Sequence, residues 1–141
     1  MSRVITHAGS GKERTQLSRS VLRAIQELMR QTQVDEKTRD LASFIVLALE
    51  AIYKTIDQSV AAWEKRGYWL KADRFRLEWE WTGQLSSRMR QAILDENWDT
   101  VAITAVEIGK KLNGVQMPKR APETEPWTGA WKQLVLLHSP K

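Results

Sequence analysis

Three segments of the chain carry residue types that could do chemistry, and the first is the stretch HAGSGKE at residues 7–13. It is similar to the end of a phosphate-binding loop, in which backbone N–H groups and a lysine hold a phosphate. That motif requires glycine at position 6 and serine or threonine at position 13, where this chain has Thr6 and Glu13. Because the Glu13 carboxylate would repel a phosphate, we interpret the segment as part of a flexible leader and expect no cofactor.

The second segment places three carboxylates along one predicted helix face at seven-residue spacing, those of Glu50, Asp57 and Glu64. Carboxylates bind two metal ions in the core of di-iron helix bundles, but those sites also use Glu-x-x-His pairs. This chain has no such pair, and Lys54 follows Glu50 by four residues, the spacing of a helical ion pair. We therefore expect a solvated acidic face and no metal site.

The third segment, residues 63–81, interleaves aromatic and basic side chains in the sequence WEKRGYWLKADRFRLEWEW. This pattern can stack nucleic-acid bases and bind phosphates. Four acidic residues nearly cancel the charge, and most of the aromatic positions fall on helical packing stripes. We interpret them as core residues, except Trp69 and Trp81, which lie off the main stripe and are candidates for a binding surface. A small-molecule pocket lined by Trp is an alternative.

Composition limits the chemistry further. The chain has 141 residues, no cysteine and two histidines, His7 and His138, near its two ends. Thiol chemistry is excluded. A serine or threonine nucleophile in the interior of the sequence would have no histidine near it in the sequence to act as its base. We find no catalytic set and expect a protein that is not an enzyme. The longest apolar run, residues 41–53, is too short to cross a bilayer, so we expect a cytoplasmic protein without a membrane partner.

The net charge of +5 is concentrated near the N-terminus, where residues 1–33 carry six bases and two acids. Arg19, Arg23 and Arg30 share the polar face of a predicted helix there. A basic helix face can neutralise the phosphates of a nucleic acid, although such a face is more often only solvated. Nucleic-acid binding through these three arginines is therefore an alternative function.

Apolar residues recur at spacings of three and four through most of the chain, which predicts helices and no strands. We expect an all-α fold, an up-and-down antiparallel four-helix bundle in which helices two and three are long. The predicted helices lie near 15–32, 35–66, 68–94 and 98–113. Asp35 is a predicted N-cap, as is Asn97 or Asp99, and Gly67 is expected to end the second helix. Gly83 is expected to allow close approach of a neighbour.

The composition also divides the chain into three parts: a flexible basic leader at 1–14, a bundle domain at 15–114, and a C-terminal part at 115–141. Three prolines within nine residues exclude regular helix from the start of the C-terminal part, so an extended linker is expected there. Residues 127–137 are apolar enough to dock as a short helix.

The second and third predicted helices carry more apolar surface than one bundle core can bury. The surplus positions are Val46 and Leu47 in the second helix and Leu70, Leu77, Trp81 and Leu85 in the third. An exposed stripe of this size is unusual in a soluble monomer. We therefore expect a protein–protein interaction module, a homodimer that buries these six residues, with the C-terminal segment covering part of them. Binding of a different protein through them is the alternative.

Overall fold

The computed structural model describes residues 7–119 and 124–138. Their regular secondary structure is α-helical, with no strand among them. The helices are α1 (His7–Met29), α2 (Glu36–Lys65), α3 (Trp69–Trp79), α4 (Trp81–Leu94), α5 (Trp98–Lys111) and α6 (Ala130–His138). The predicted all-α class is confirmed. None of the helices in this part of the chain is long and apolar enough to cross a membrane.

The central element is α2, which packs against α1, α3, α4 and α6. It begins at its predicted cap, where the Asp35 carboxylate accepts a hydrogen bond of 3.0 Å from the backbone N–H of Thr38. Hydrogen bonds from Thr38 hold the pKa of Asp35 below its ordinary value. Because α2 has neighbours on several sides, buried apolar residues lie on more than one of its faces. Those with no exposed surface at all are Leu41, Ala42, Ile45, Val46, Leu49 and Ile52.

Polar contacts join the remaining helices around this centre. Arg90 of α4 binds Glu50 of α2 through both carboxylate oxygens, at 2.8 to 3.1 Å. Arg88 of α4 donates to Thr104 of α5 at 3.1 Å, and α5 also packs against α1. The helices α1, α2, α4 and α5 thus close a ring around one hydrophobic core, and α3 lies along the C-terminal half of α2.

The first helix begins at His7, eight residues earlier than the pattern predicts. Ser10 donates to the Gln58 side chain at 2.8 Å, and Arg14 donates to Thr55 Oγ1 at 3.0 Å, so the first turns are held against α2. Periodicity missed these turns because their contacts are polar. Residues 7–14 are therefore helical and not a leader, and residues 1–6 lie outside the described part.

The predicted third helix, 68–94, is divided at Glu80 into α3 and α4. The backbone of Glu80 is itself right-handed helical, but the Gly83 N–H bonds to the Glu80 carbonyl, only three residues back. The Thr82 hydroxyl also donates to the Trp79 carbonyl at 2.7 Å. This tighter turn shifts the faces of α3 and α4 relative to each other, so one stripe does not continue through both.

The C-terminal segment forms α6, and its buried residues are Trp127, Ala130 and Leu134. The buried carboxylate of Asp40 on α2 accepts hydrogen bonds from the backbone N–H groups of Gly129 at 3.1 Å and Trp131 at 2.9 Å. A carboxylate at this position satisfies donors that the first turn of a helix leaves unpaired. Asp40 therefore fixes α6 to α2 across about ninety residues of chain.

Two helical glycines lie in different surroundings. A Cβ atom added to Gly83 would lie 3.2 Å from Tyr53 Cε1, whereas one added to Gly109 would meet nothing within 4 Å. The close approach expected at Gly83 is present, and the neighbour is the ring of Tyr53. We predict that Gly109→Ala raises the free energy of unfolding by about 0.5–1 kcal/mol, because alanine favours helix.

Gly83→Ala is the matched comparison, and it is expected to stabilise less or to destabilise, because the Tyr53 ring must move to make room. Chemical denaturation of both variants beside the wild type measures the difference. An equal or larger gain for Gly83→Ala would show that the ring yields without cost.

Candidate interaction surface

An aromatic cluster holds α3 against the C-terminal half of α2. Trp63 and Phe75 meet edge to face with their centroids 4.8 Å apart, and Phe75 lies 6.4 Å from Trp79. Trp79 in turn stacks on Trp81 at 6.1 Å. Trp63, Phe75 and Trp79 pack against a small buried set, Ile56, Val60 and Ala72. The cluster gives this end of the molecule a rigid base, as the packing stripes predict.

A cation from α1 closes the cluster on one side. The Arg14 guanidinium lies 4.9 Å from the centroid of Phe75 and 5.7 Å from that of Trp79. Burial lowers the pKa of Arg14 from its ordinary value, and the negative charge of Glu78 partly offsets this. Arginine stays protonated in proteins, so Arg14 is a structural cation that ties α1 to α3.

The chain exposes seven consecutive residues where α2 gives way to α3, and we call residues 65–71 the tip. Gly67 turns the chain here with a φ of 84°, as its predicted helix-ending role requires. Tyr68, Trp69 and Leu70 are 53, 64 and 66% exposed. The tip also carries Lys65, Arg66 and Lys71 and no acidic residue. An apolar centre flanked by cations therefore projects from the aromatic cluster.

An open groove runs beside the tip. A small-molecule pocket lined by Trp, the alternative function, would lie in this groove. Trp63 and Phe75 line its floor, and Tyr68 and Trp69 lie at its edge. The Lys71 ammonium group lies 4.8 Å from the Trp63 ring centroid, within cation–π distance. The groove is open to solvent.

The six predicted interface residues do not form one exposed stripe. Leu70 and Leu77 are exposed, Leu47 and Trp81 are half-buried, and Val46 and Leu85 are buried within the chain. At 100° per residue, Leu70 and Leu77 lie on the side of α3 opposite its contact with α2. The turn at Glu80 then directs Leu85 into the core. The exposed part of the predicted interface is therefore the outer face of α3, defined by Leu70 and Leu77.

The second-helix residues are covered by other helices of the same chain. Val46 lies one turn from Glu50, which binds Arg90, so it is on the face of α2 that packs against α4. Leu47 lines a shallow groove beside Pro126 and Ala130 of the C-terminal segment. The expectation that Val46 remains uncovered is wrong because α4 occupies that side of α2.

The predicted basic face of α1 is occupied in large part by the linker between α5 and α6. Arg19 donates to the Gln116 carbonyl at 2.9 Å, and Arg23 donates to the Thr124 carbonyl at 2.7 Å. The Arg23 guanidinium also lies 4.9 Å from the Trp127 ring. Arg30 pairs with Glu27 at 2.9 Å on the surface. Two of the three arginines thus hold the chain that leads to α6.

The three spaced carboxylates each face an arginine. Glu50 pairs with Arg90 of α4, in place of the Lys54 that its spacing suggested. Asp57 and Glu64 lie 3.9 and 3.7 Å from Arg76 of α3. In the described ranges no three histidine or carboxylate side chains converge as metal ligands do. These carboxylates join helices to one another.

Comparison of the chain with protein-family models, with curated proteins and with solved structures finds no significant match in any of the three. The exposed surfaces of the chain that could bind a partner are the tip and the outer face of α3.

Proposed function

We propose that the protein is a non-enzymatic helical interaction module that associates with a second copy of itself. The observation that carries this proposal is the outer face of α3, where Leu70 and Leu77 are 66 and 69% exposed. The absence of cysteine from the sequence suits the reducing cytoplasm, where we place the protein.

In architectural terms we describe the module as an up-and-down four-helix bundle. The ring formed by α1, α2, α4 and α5 supports this description, with α3 and α4 together as the third helix. Contacts between Ser10 and Gln58 and between Glu50 and Arg90 fit antiparallel neighbours. In this description α6 is an additional cover on α2.

The outer face of α3 has a geometry that suits self-association. Leu70 and Leu77 are separated by two helical turns, so they form a short seam along one face of an eleven-residue helix. A twofold contact would pair this seam with the same seam of a second copy. Each fully buried leucine contributes about 1.5–3 kcal/mol, but the seam is smaller than a standard interface. We therefore expect a weak dimer that forms at high protein concentration.

Leu77→Glu is expected to convert the dimer to monomer, because it places a charge in the apolar seam. Sedimentation equilibrium over a range of micromolar concentrations measures the change. The melting temperature should stay near that of the wild type, since Leu77 contributes little to the core of its own chain.

The matched control is Leu136→Glu on α6, because Leu136 is 70% exposed and lies on a different helix. It should leave the dimer intact. A wild-type protein that remains monomeric at the highest concentration, or a Leu77→Glu variant that remains dimeric, would contradict the proposal.

A further inference from the structure

The tip is a second exposed surface, which shares Leu70 with the outer face of α3 but is distinguished by its two aromatic rings and its positive charge. Its side chains Tyr68 and Trp69 project at the turn itself, and Trp63 and Phe75 line the floor of the adjoining groove. Exposing a tryptophan and a tyrosine together is unfavourable in water unless another apolar phase covers them.

The charge around the tip is predominantly positive. Lys65, Arg66 and Lys71 flank the apolar centre, and Arg74 follows one turn further along α3. The nearest acid in sequence, Glu64, lies 3.7 Å from Arg76. Within residues 7–119 and 124–138, no carboxylate lies within ion-pair distance of Lys65, Arg66 or Arg74.

Two exposed acids further along α3, Asp73 and Glu78, moderate this charge. Both follow the tip in sequence, and the seven tip residues themselves carry three cations and no acid. The positive charge is therefore greatest where the aromatic rings project.

We infer that the tip docks on the surface of an anionic lipid bilayer. Tryptophan and tyrosine favour the boundary between headgroups and acyl chains, where the ring is apolar and its polar edge remains hydrated. Leu70 enters the same boundary, and the flanking lysine and arginine side chains reach the acidic headgroups. The contact is peripheral: the tip lies on the membrane and does not span it.

Single-stranded nucleic acid is the competing partner for a basic aromatic surface. Bases stack on aromatic rings, and Tyr68 and Trp69 would serve. Leu70, which is as exposed as Trp69, has no stacking face, and the tip is a convex turn where a nucleic-acid strand needs an extended track. The exposed leucine between two cationic flanks therefore favours the lipid surface.

The experiment is co-sedimentation of the full chain with vesicles of phosphatidylcholine alone or of phosphatidylcholine mixed with phosphatidylserine. We expect binding to the mixed vesicles that weakens as salt is added, and little binding to phosphatidylcholine alone. The paired change Lys65→Glu with Arg66→Glu should weaken binding by at least about tenfold, because each cation near an anionic surface contributes separately.

Lys110→Glu with Lys111→Glu is the matched control, since these two exposed lysines occupy the last turn of α5 as Lys65 and Arg66 occupy the end of α2. The control should bind as the wild type does. Trp69→Ala tests the apolar part and should also weaken binding, while its melting temperature remains unchanged because the side chain is 64% exposed.

The outcomes distinguish the partners. An equal loss of vesicle binding in the α5 control would indicate attraction to net charge alone and would overturn the assignment to the tip. Wild-type protein that does not bind the mixed vesicles at low salt would also overturn it. Tighter binding to a single-stranded oligonucleotide, lost in Trp69→Ala, would assign the tip to nucleic acid instead. The dimer test changes Leu77 and the membrane test changes Lys65, Arg66 and Trp69, so the two proposals can fail separately.

Discussion

Asp40→Ala is expected to release α6 from α2 and to lower the free energy of unfolding by about 2–3 kcal/mol. The Asp40 carboxylate is buried and accepts two backbone hydrogen bonds, from Gly129 and Trp131. Removing it leaves both N–H groups without their acceptor at the start of α6. Leu134 and Trp127, which are buried only while α6 is docked, would then meet solvent.

Three measurements test this expectation. Urea denaturation gives the loss of stability. The summed fluorescence of the seven tryptophans should move to longer wavelength as Trp127 becomes exposed, and trypsin should cut more rapidly after Lys119 in the linker. Asp40→Asn retains one acceptor oxygen and should cost less than alanine.

Glu36→Ala is the control for the loss of a carboxylate on the same helix, because Glu36 is exposed in the first turn of α2. It should change the unfolding free energy by about 0.5 kcal/mol or less. An Asp40→Ala variant with the protease resistance of the wild type would mean that apolar contacts alone hold α6.

Arg14→Ala is expected to lower the free energy of unfolding by about 1.5–3 kcal/mol. The substitution removes a partly desolvated cation that faces the rings of Phe75 and Trp79, together with a hydrogen bond of 3.0 Å to Thr55. It also removes the aliphatic stem that covers the edge of the aromatic cluster.

Arg14→Lys separates the contribution of the positive charge from that of the planar guanidinium group. Lysine keeps the cation but lacks the planar group that stacks on the rings, so an intermediate loss is expected. Arg30→Ala is the matched control in the turn directly after the same helix, because its ion pair with Glu27 is on the surface and contributes about 0–1 kcal/mol.

Thermal and urea denaturation measure all three variants, and near-ultraviolet circular dichroism reports the aromatic cluster. If Arg14→Ala unfolds like Arg30→Ala, the guanidinium only lies over the rings without stabilising them.

Features specified by neighbouring residues were predictable from the sequence. Helical periodicity predicted the all-α class, and Asp35 and Asn97 cap α2 and α5 as expected, since each accepts from a backbone N–H three residues away. Gly67 adopts the left-handed conformation that ends a helix. Such signals are readable because both partners in each interaction lie within one turn of the chain.

The tip was only partly predictable. The sequence pointed to Trp69 as a ring off the main packing stripe, but Trp81 shared that description and is half-buried against Trp79. The difference arises at Glu80, where a single tighter turn directs one ring inward and leaves the other outside. No helix-breaking residue is present at Glu80, so helical periodicity predicted one continuous helix there.

Which surfaces are covered depends on contacts between residues far apart in the chain. Asp40 caps a helix 89 residues away, and Arg19 and Arg23 hold a linker 97 and 101 residues away. Asp40 lies beside the apolar run of α2, and this position was the available sign that it needs a buried partner. Nothing in the neighbouring sequence identified α6 as that partner. Helices can be inferred from short-range spacing. Which segment covers Val46 or binds Arg19 is decided by the packing of the whole chain, because burial is non-directional and many apolar faces could satisfy it equally.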